Sequence, residues 1–131
     1  VIVRVPLASG LLTGKFSRET RFPADDHRDF NRRGEQFDVG ETFAGVDFER
    51  GLEVVEALRP LVPAGATMAQ FALGWILGFD AVSAVIPGAK TPEQARANSA
   101  AAALPPLSKA TLGTIGELYR KRIAPLVHHR R

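Results

Sequence analysis

The chain has 131 residues, 45% of them hydrophobic and 24% charged, with a net charge of +3 and a pI near 9.8. That is enough chain for one domain with a real core, and no run of roughly eighteen apolar residues is present to span a bilayer as a helix. The absence of cysteine excludes disulfides and thiol chemistry. Part of the positive excess sits in Arg120, Lys121, Arg122, Arg130 and Arg131, where no aromatics interleave, so it reads as a solvated, frayed tail rather than a nucleic-acid platform. No basic-then-apolar leader is visible, and a cytoplasmic setting without membrane or nucleic-acid partners is the expectation.

Val1–Val5 is a β-branched run that predicts a strand, closed by Pro6, which cannot donate within a central ladder. A chain that opens inside a strand, without an initiator Met, reads as the later part of a longer protein. Leu7–Gly14 is a turn region containing Gly10 and Gly14. Lys15–Gly45 is polar and aperiodic and reads as a long surface loop with one helical turn; such loops tend to be functional or mobile. From Asp47, a cap residue, the helical period returns, with Phe48, Leu52, Val55, Leu58 and Val62 on one face and Pro63 and Gly65 at the end. Thr67 and Gln70 have capping-box spacing and open a second helix. Its Met68, Phe71, Ala72, Trp75, Ile76 and Phe79 cover more than half of the circumference, which predicts deep packing. Val82–Ile86 predicts a buried strand, ended by Pro87-Gly88. A helix capped by Thr91 runs to about Ala103 and is broken by Pro105-Pro106. Ser108 then caps a last helix with Leu112, Ile115, Leu118, Tyr119 and Ile123 inward. The order is α/β with at least one parallel crossover. Parallel sheets are normally covered on both faces and flanked by further strands, so these two runs demand partners that this chain does not supply.

The stretch Val85-Ile86-Pro87-Gly88-Ala89-Lys90-Thr91-Pro92-Glu93-Gln94 carries the most chemistry. It places a glycine turn between a strand and the amino end of a helix, where unpaired N–H groups and the positive end of the helix dipole suit a phosphate. Lys90 adds a full positive charge there, although by itself it also reads as an ordinary exposed lysine after a turn. Gln94 could complete the cap with Thr91, and a side chain turned back to the cap cannot also reach a ligand base. Asn98 is mid-helix, where asparagine is a poor choice for stability, which favours a separate role.

Two motifs resemble the C-terminal portion of the aldo/keto reductase family. Pro6-Leu7-Ala8-Ser9-Gly10-Leu11-Leu12-Thr13-Gly14-Lys15 resembles the loop after the family's seventh barrel strand, and Ile86-Pro87-Gly88-Ala89-Lys90 through Gln94 and Asn98 resembles the loop and helix after its eighth. Between them, Ala69-Gln70-Phe71-Ala72-Leu73-Gly74-Trp75-Ile76 is similar to the family's helix before the last strand. The resemblance implies the C-terminal part of a (β/α)8 TIM barrel, its last two strands with their helices, incomplete as a barrel by itself, across residues 1–131. It implies an oxidoreductase that transfers hydride between NADP(H) and a small-molecule carbonyl or alcohol. Carried over by position, Leu7, Ala8, Ser9 and Gly10 meet the pyrophosphate side of the cofactor mainly through backbone, and Lys15 offers charge to phosphate. Gly88, Ala89 and Lys90 surround the adenosine 2′-phosphate, where a cation favours NADP over NAD. Gln94 and Asn98, one helical turn apart, bind the adenine, and Arg18 or Arg21 is a candidate to reach a phosphate from the long loop.

The sequence departs from the family pattern in three ways. Val5 stands where a serine is usual, Ala97 where an acidic residue is common, and nothing matches the catalytic Asp, Tyr, Lys and His of earlier strands. Tyr119 and Trp75 read as core residues, and Lys15 and Lys90 belong to the cofactor motifs. His27, His128 and His129 lack metal-ligand spacing, and Asp25, Asp26 and Asp29 read as an exposed acidic loop among arginines. A non-catalytic NADP(H)-binding or regulatory module, and a fragment without function, remain as alternatives to the enzyme.

Overall fold

The computed structural model describes residues 1–130. Two three-residue strands, β1 (Ile2–Arg4) and β2 (Ala84–Ile86), pair in parallel, with Ile2 opposite Ala84, Val3 opposite Val85 and Arg4 opposite Ile86. Both are shorter than the hydrophobic runs that contain them. Val5 leaves the ladder with φ 49°, in the left-handed region, and Val82 is taken into a turn by donating to the Phe79 carbonyl at 2.9 Å. The expectation of a buried strand is not met. Strand alternation turns Val3 and Val85 to a half-buried side and leaves Ile2 67% and Ile86 61% exposed, because only one face of this two-stranded ladder is covered by helices of the chain.

The helices follow their local signals. In α2 (Phe48–Leu58) the Asp47 carboxylate accepts from the N–H groups of Glu49 and Arg50, and Phe48, Leu52 and Val55 are buried. In α3 (Met68–Leu77) Thr67 and Gln70 form a complete capping box. Met68, Phe71, Ala72, Leu73 and Ile76 are buried, whereas Phe79 lies beyond the helix end and is half exposed, stacked edge-on against Trp75. Helix α4 (Pro92–Ala100) begins at its Thr91 cap and tightens into a 3₁₀ turn at Ala101–Ala103. Helix α5 (Lys109–Leu118), capped by Ser108, passes through a π turn at Tyr119–Ile123 into α6 (Ala124–Val127). Leu112 is exposed rather than inward. Ile115, Leu118, Tyr119 and Ile123 instead border a small apolar cavity of about 140 Å³ with Trp75 and Phe71 of α3. The tail is anchored further than expected. Val127 is buried, and Tyr119 Oη lies 3.1 Å from His128 Nδ1. Arg131 and the side chain of Arg130, included in the basic tail above, lie outside the described residues.

The core sits between α2, α3, the 7–14 turn region and the 15–45 segment rather than under the sheet. Leu11, Phe43, Phe48, Leu52, Val55, Met68 and Phe71 form one cluster, with Phe16 and Phe22 packed against it. The 15–45 segment is therefore not simply a surface loop. It contains the short helix α1 (His27–Phe30) and 3₁₀ turns at Val39–Glu41 and Phe43–Gly45, and it buries Phe43, Asn31 and Thr42. Asn31 holds it together: Oδ1 accepts from the N–H groups of Gln36 at 2.9 Å and Phe37 at 2.8 Å, and Nδ2 donates to Thr42 Oγ1 at 3.2 Å. Among the described residues, no helix is long and apolar enough to cross a membrane.

Candidate functional site

Parallel, in-register pairing sends the segments after β1 and β2 out of the same, C-terminal end of the ladder. The first segment is a set of tight turns. Ala8 donates to the Val5 carbonyl at 3.1 Å, Gly10 to Leu7 at 3.0 Å, and Leu12 to Leu7 at 3.1 Å. Three side-chain-bearing residues here take left-handed backbone, Val5 (φ 49°), Ala8 (φ 47°) and Ser9 (φ 56°), followed by Gly10 (φ 91°). Each such residue costs on the order of 1–2 kcal/mol. A Cβ on Gly10 would also approach the Phe16 ring to 3.1 Å, so both conformation and space restrict the position to glycine.

The long segment braces this turn from behind. Ser9 Oγ accepts from the Phe43 N–H at 3.2 Å, and the Ser9 carbonyl accepts from Arg28 Nη1 at 3.4 Å. Arg28 is itself fixed: Nε donates to Asp26 Oδ1 at 2.9 Å, and its guanidinium lies 4.5 Å from the Phe22 ring centre. The side-chain hydrogen bond from Arg28 holds the Asp26 carboxyl well below the usual carboxylate range, and the same pair raises Arg28. Arg28 is a residue that sequence reasoning passed over in favour of Arg18 and Arg21. The available signal was Asp26 as the cap of α1, two residues before Arg28. Among the described residues, Arg18 and Arg21 form no hydrogen bond with Ser9 or Gly10. They border another cavity with Arg32 and Arg33, and Arg21 Nη1 donates to the carbonyls of Arg18 and Thr20. Lys15 is exposed at the far end of the first segment, where Arg59 Nη2 holds the preceding Gly14 carbonyl at 3.2 Å.

In the second segment Thr91 Oγ1 accepts from the Gln94 N–H at 3.2 Å, while Gln94 Oε1 reaches back to accept from the Lys90 N–H at 2.7 Å. Asn98 Nδ2 donates to the Gly88 carbonyl at 3.2 Å. Both carboxamides expected at an adenine thus also hold the turn in shape. Each uses one polar atom for this. Gln94 Nε2 and Asn98 Oδ1 have no other hydrogen bond among the described residues. The N–H groups of Ser9, Gly88 and Ala89 are likewise unpartnered there, and neither Lys15 nor Lys90 forms a salt bridge. Gly88 has open space where a Cβ would point.

The two segments border separate hollows. Ala8, Arg4, Val5 and Glu41 line one of about 210 Å³. Pro87, Ala89 and Asn98 line another of about 360 Å³ with Leu73, Leu77 and Val85. Arg4 Nη2 spans from the strand end to Glu41 Oε2 at 3.0 Å. Among the described residues, no group of three His, Asp or Glu side chains is placed to hold a metal ion. Tyr119 and Trp75 border the apolar cavity between α2, α3 and α5, which Leu12 of the first loop also lines.

Comparison with known proteins adds the wider context. The aldo/keto reductase family model matches residues 1–120. A probable voltage-gated potassium channel subunit beta from Arabidopsis thaliana is 32% identical over 108 residues, which cover 78% of this chain and 29% of that protein. The structure of a glycerol dehydrogenase from Gluconobacter oxydans matches with a TM-score of 0.73 and 26% identity, covering 94% of this chain and 35% of that one. The chain spans about a third of the length of these relatives. With one family model running from the first residue to Arg120, through both loops and the helices between and after them, the chain belongs to the aldo/keto reductase family.

Proposed function

We propose that residues 1–131 are the C-terminal portion of a (β/α)8 barrel and supply the NADP(H) grip of an oxidoreductase acting on a small-molecule carbonyl or alcohol. The observation that carries this reading is the in-register pairing of β1 with β2, which directs two turns with unpartnered N–H groups out of the same end of the sheet. In barrels of this kind phosphate is often held by the loops after the last two strands.

The residues present fit the cofactor. Ser9 offers its unpartnered N–H to the pyrophosphate in a turn that Gly10 shapes, with the Arg28 guanidinium behind it and Lys15 adding charge further along. The N–H groups of Gly88 and Ala89, the amino end of α4 and the Lys90 ammonium suit the 2′-phosphate. The free Nε2 of Gln94 and Oδ1 of Asn98 are a donor and an acceptor of the kind an adenine edge pairs with. When bound, the cofactor supplies the hydride. This chain's residues bind and orient it. The Asp, Tyr, Lys and His that handle the proton in the family would come from earlier strands, and without them this portion alone is inactive. A second reading, a non-catalytic NADP(H)-binding regulatory module, has behind it the relative named as a potassium channel β subunit.

Fluorescence titration of the complete protein with NADPH and NADH tests the assignment. Lys90→Glu is expected to raise the NADPH dissociation constant about tenfold or more, as loss of one charge-assisted phosphate contact requires, with little change for NADH. Equal changes for both cofactors would remove Lys90 from the 2′-phosphate. Carbonyl-dependent NADPH oxidation separates the enzyme from the regulatory module.

A further inference from the structure

A hollow of about 540 Å³ lies between the long loop and the start of α2, and Arg18, Arg21, Arg32 and Arg33 line it. Neither cofactor turn, residues 7–15 or 88–98, borders it, and Arg18 and Arg21, the long-loop arginines considered above for a cofactor phosphate, turn here instead. Six arginines elsewhere are matched to carboxylates: Arg4 with Glu41, Arg28 with Asp26, Arg50 with Glu53, Arg59 with Glu56, Arg96 with Glu93 and Arg120 with Glu117; Arg122, on the basic C-terminal turn, is not matched among the described residues. The four in this hollow form no salt bridge among the described residues.

Two of them are nevertheless held in place. Arg32 Nε donates to the Arg28 carbonyl at 3.1 Å, and its guanidinium lies 5.2 Å from the Phe48 ring centre and 5.7 Å from that of Phe22. Arg21 Nη1 is tied to two backbone carbonyls at 3.0 and 3.2 Å. Each therefore keeps N–H donors for another partner. The Glu19 and Glu35 carboxylates stand near these arginines and are stabilised by their charge, but neither forms a salt bridge with them. Guanidiniums held by backbone carbonyls and aromatic rings rather than by carboxylates match planar, multidentate oxyanion recognition better than general solubility. Two carboxylates, Asp47 and Glu49, also border the hollow, but Asp47 Oδ1 is occupied by the backbone N–H groups of Glu49 and Arg50, and cations outnumber anions by four to two. Because Asp47 already caps α2, the helix end contributes no free donors at those two positions.

We propose that this hollow is a second anion site, which binds a phosphate-bearing small molecule. It does not depend on the cofactor assignment: a protein that bound phosphate here and no NADPH would still satisfy it.

Isothermal titration of the complete protein with inorganic pyrophosphate, at constant ionic strength and with citrate as the carboxylate control, tests the site. Pyrophosphate is expected to bind both alone and with saturating NADPH, at least tenfold more tightly than citrate. Arg33→Gln is expected to weaken it about tenfold, and Arg32→Gln/Arg33→Gln to abolish it. Arg33 is exposed and makes no side-chain hydrogen bond among the described residues, so this variant should keep the wild-type melting temperature. Absence of binding up to millimolar pyrophosphate, displacement by NADPH, equal binding of citrate, or unchanged binding to a folded Arg33→Gln protein would each overturn the proposal.

Discussion

Gly51 is the interior residue of α2 at which helix propensity and packing oppose one another. Alanine in place of glycine inside a helix gains about 1 kcal/mol. At this position a Cβ would stand 2.5 Å from Leu11 Cδ2 and 3.3 Å from Cδ1, and Leu11 is only 5% exposed, so its side chain has little room to retreat. Overpacking of this kind costs typically 1–3 kcal/mol. With about 2 kcal/mol for the collision, Gly51→Ala is expected to destabilise by about 1 kcal/mol. Leu11→Ala removes the colliding atoms at a cost of about 2–5 kcal/mol. In that background the same glycine change should stabilise by about 1 kcal/mol, a coupling of about 2 kcal/mol between the two sites. Urea denaturation of the four proteins of the cycle, followed by circular dichroism, measures it. Gly51→Ala that stabilises the wild-type protein by the full helix-propensity increment would refute the close packing of α2 on the first loop. Leu11 follows Gly10 directly, so a displaced Leu11 should also weaken NADPH binding by the proposed site.

Two further outcomes are expected. Asn31→Ala strips acceptors from the Gln36 and Phe37 N–H groups and a donor from buried Thr42. A fully stranded group costs roughly 1–3 kcal/mol, but Gln36 and Phe37 are exposed residues whose N–H groups can turn to water, so the total should be about 2–4 kcal/mol; hydrogen exchange should rise across residues 31–42, and wild-type protection there would contradict the hub. The Asp26–Arg28 pair should set an acid limit on the loop. Asp26 binds its proton less readily when folded, so the pair's contribution is full above the ordinary aspartate pKa of about 4 and is lost as pH falls below it. Asp26→Asn should therefore destabilise at neutral pH and by progressively less as pH falls below about 4, and an effect independent of pH would contradict the ion pair.

The features legible in the sequence were those decided within a few residues. Asp47, Thr67 with Gln70, Thr91 and Ser108 all cap the helices expected of them, because a cap is a contact between a side chain and N–H groups two or three positions on. The turn from Pro87 to Thr91 was readable for the same reason. Burial of the strands was not, since it depends on what covers the sheet, and Ile2 and Ile86 have no covering layer in this chain. The long loop concealed its core because it has no period. Asn31 gathers partners up to eleven positions away, and nothing in its neighbours marks it. The left-handed residues Val5, Ala8 and Ser9 carry no glycine or asparagine signal. Arg28 was hidden among arginines whose different roles depend on the aromatic rings beneath them.

The three-residue ladder also acts as a ruler. The offset between the two strands sets how far Lys90 stands from Gly10 along the strand direction, and one step of slippage would move it by about 3.3 Å while turning alternate side chains to the other face. That distance exceeds the tolerance of a hydrogen bond. Inserting or deleting one residue within Ile2–Arg4 or Ala84–Ile86 should therefore misplace the donors even where the helices still form, whereas length changes in the exposed connection around Pro63 and Gly65 leave the spacing intact.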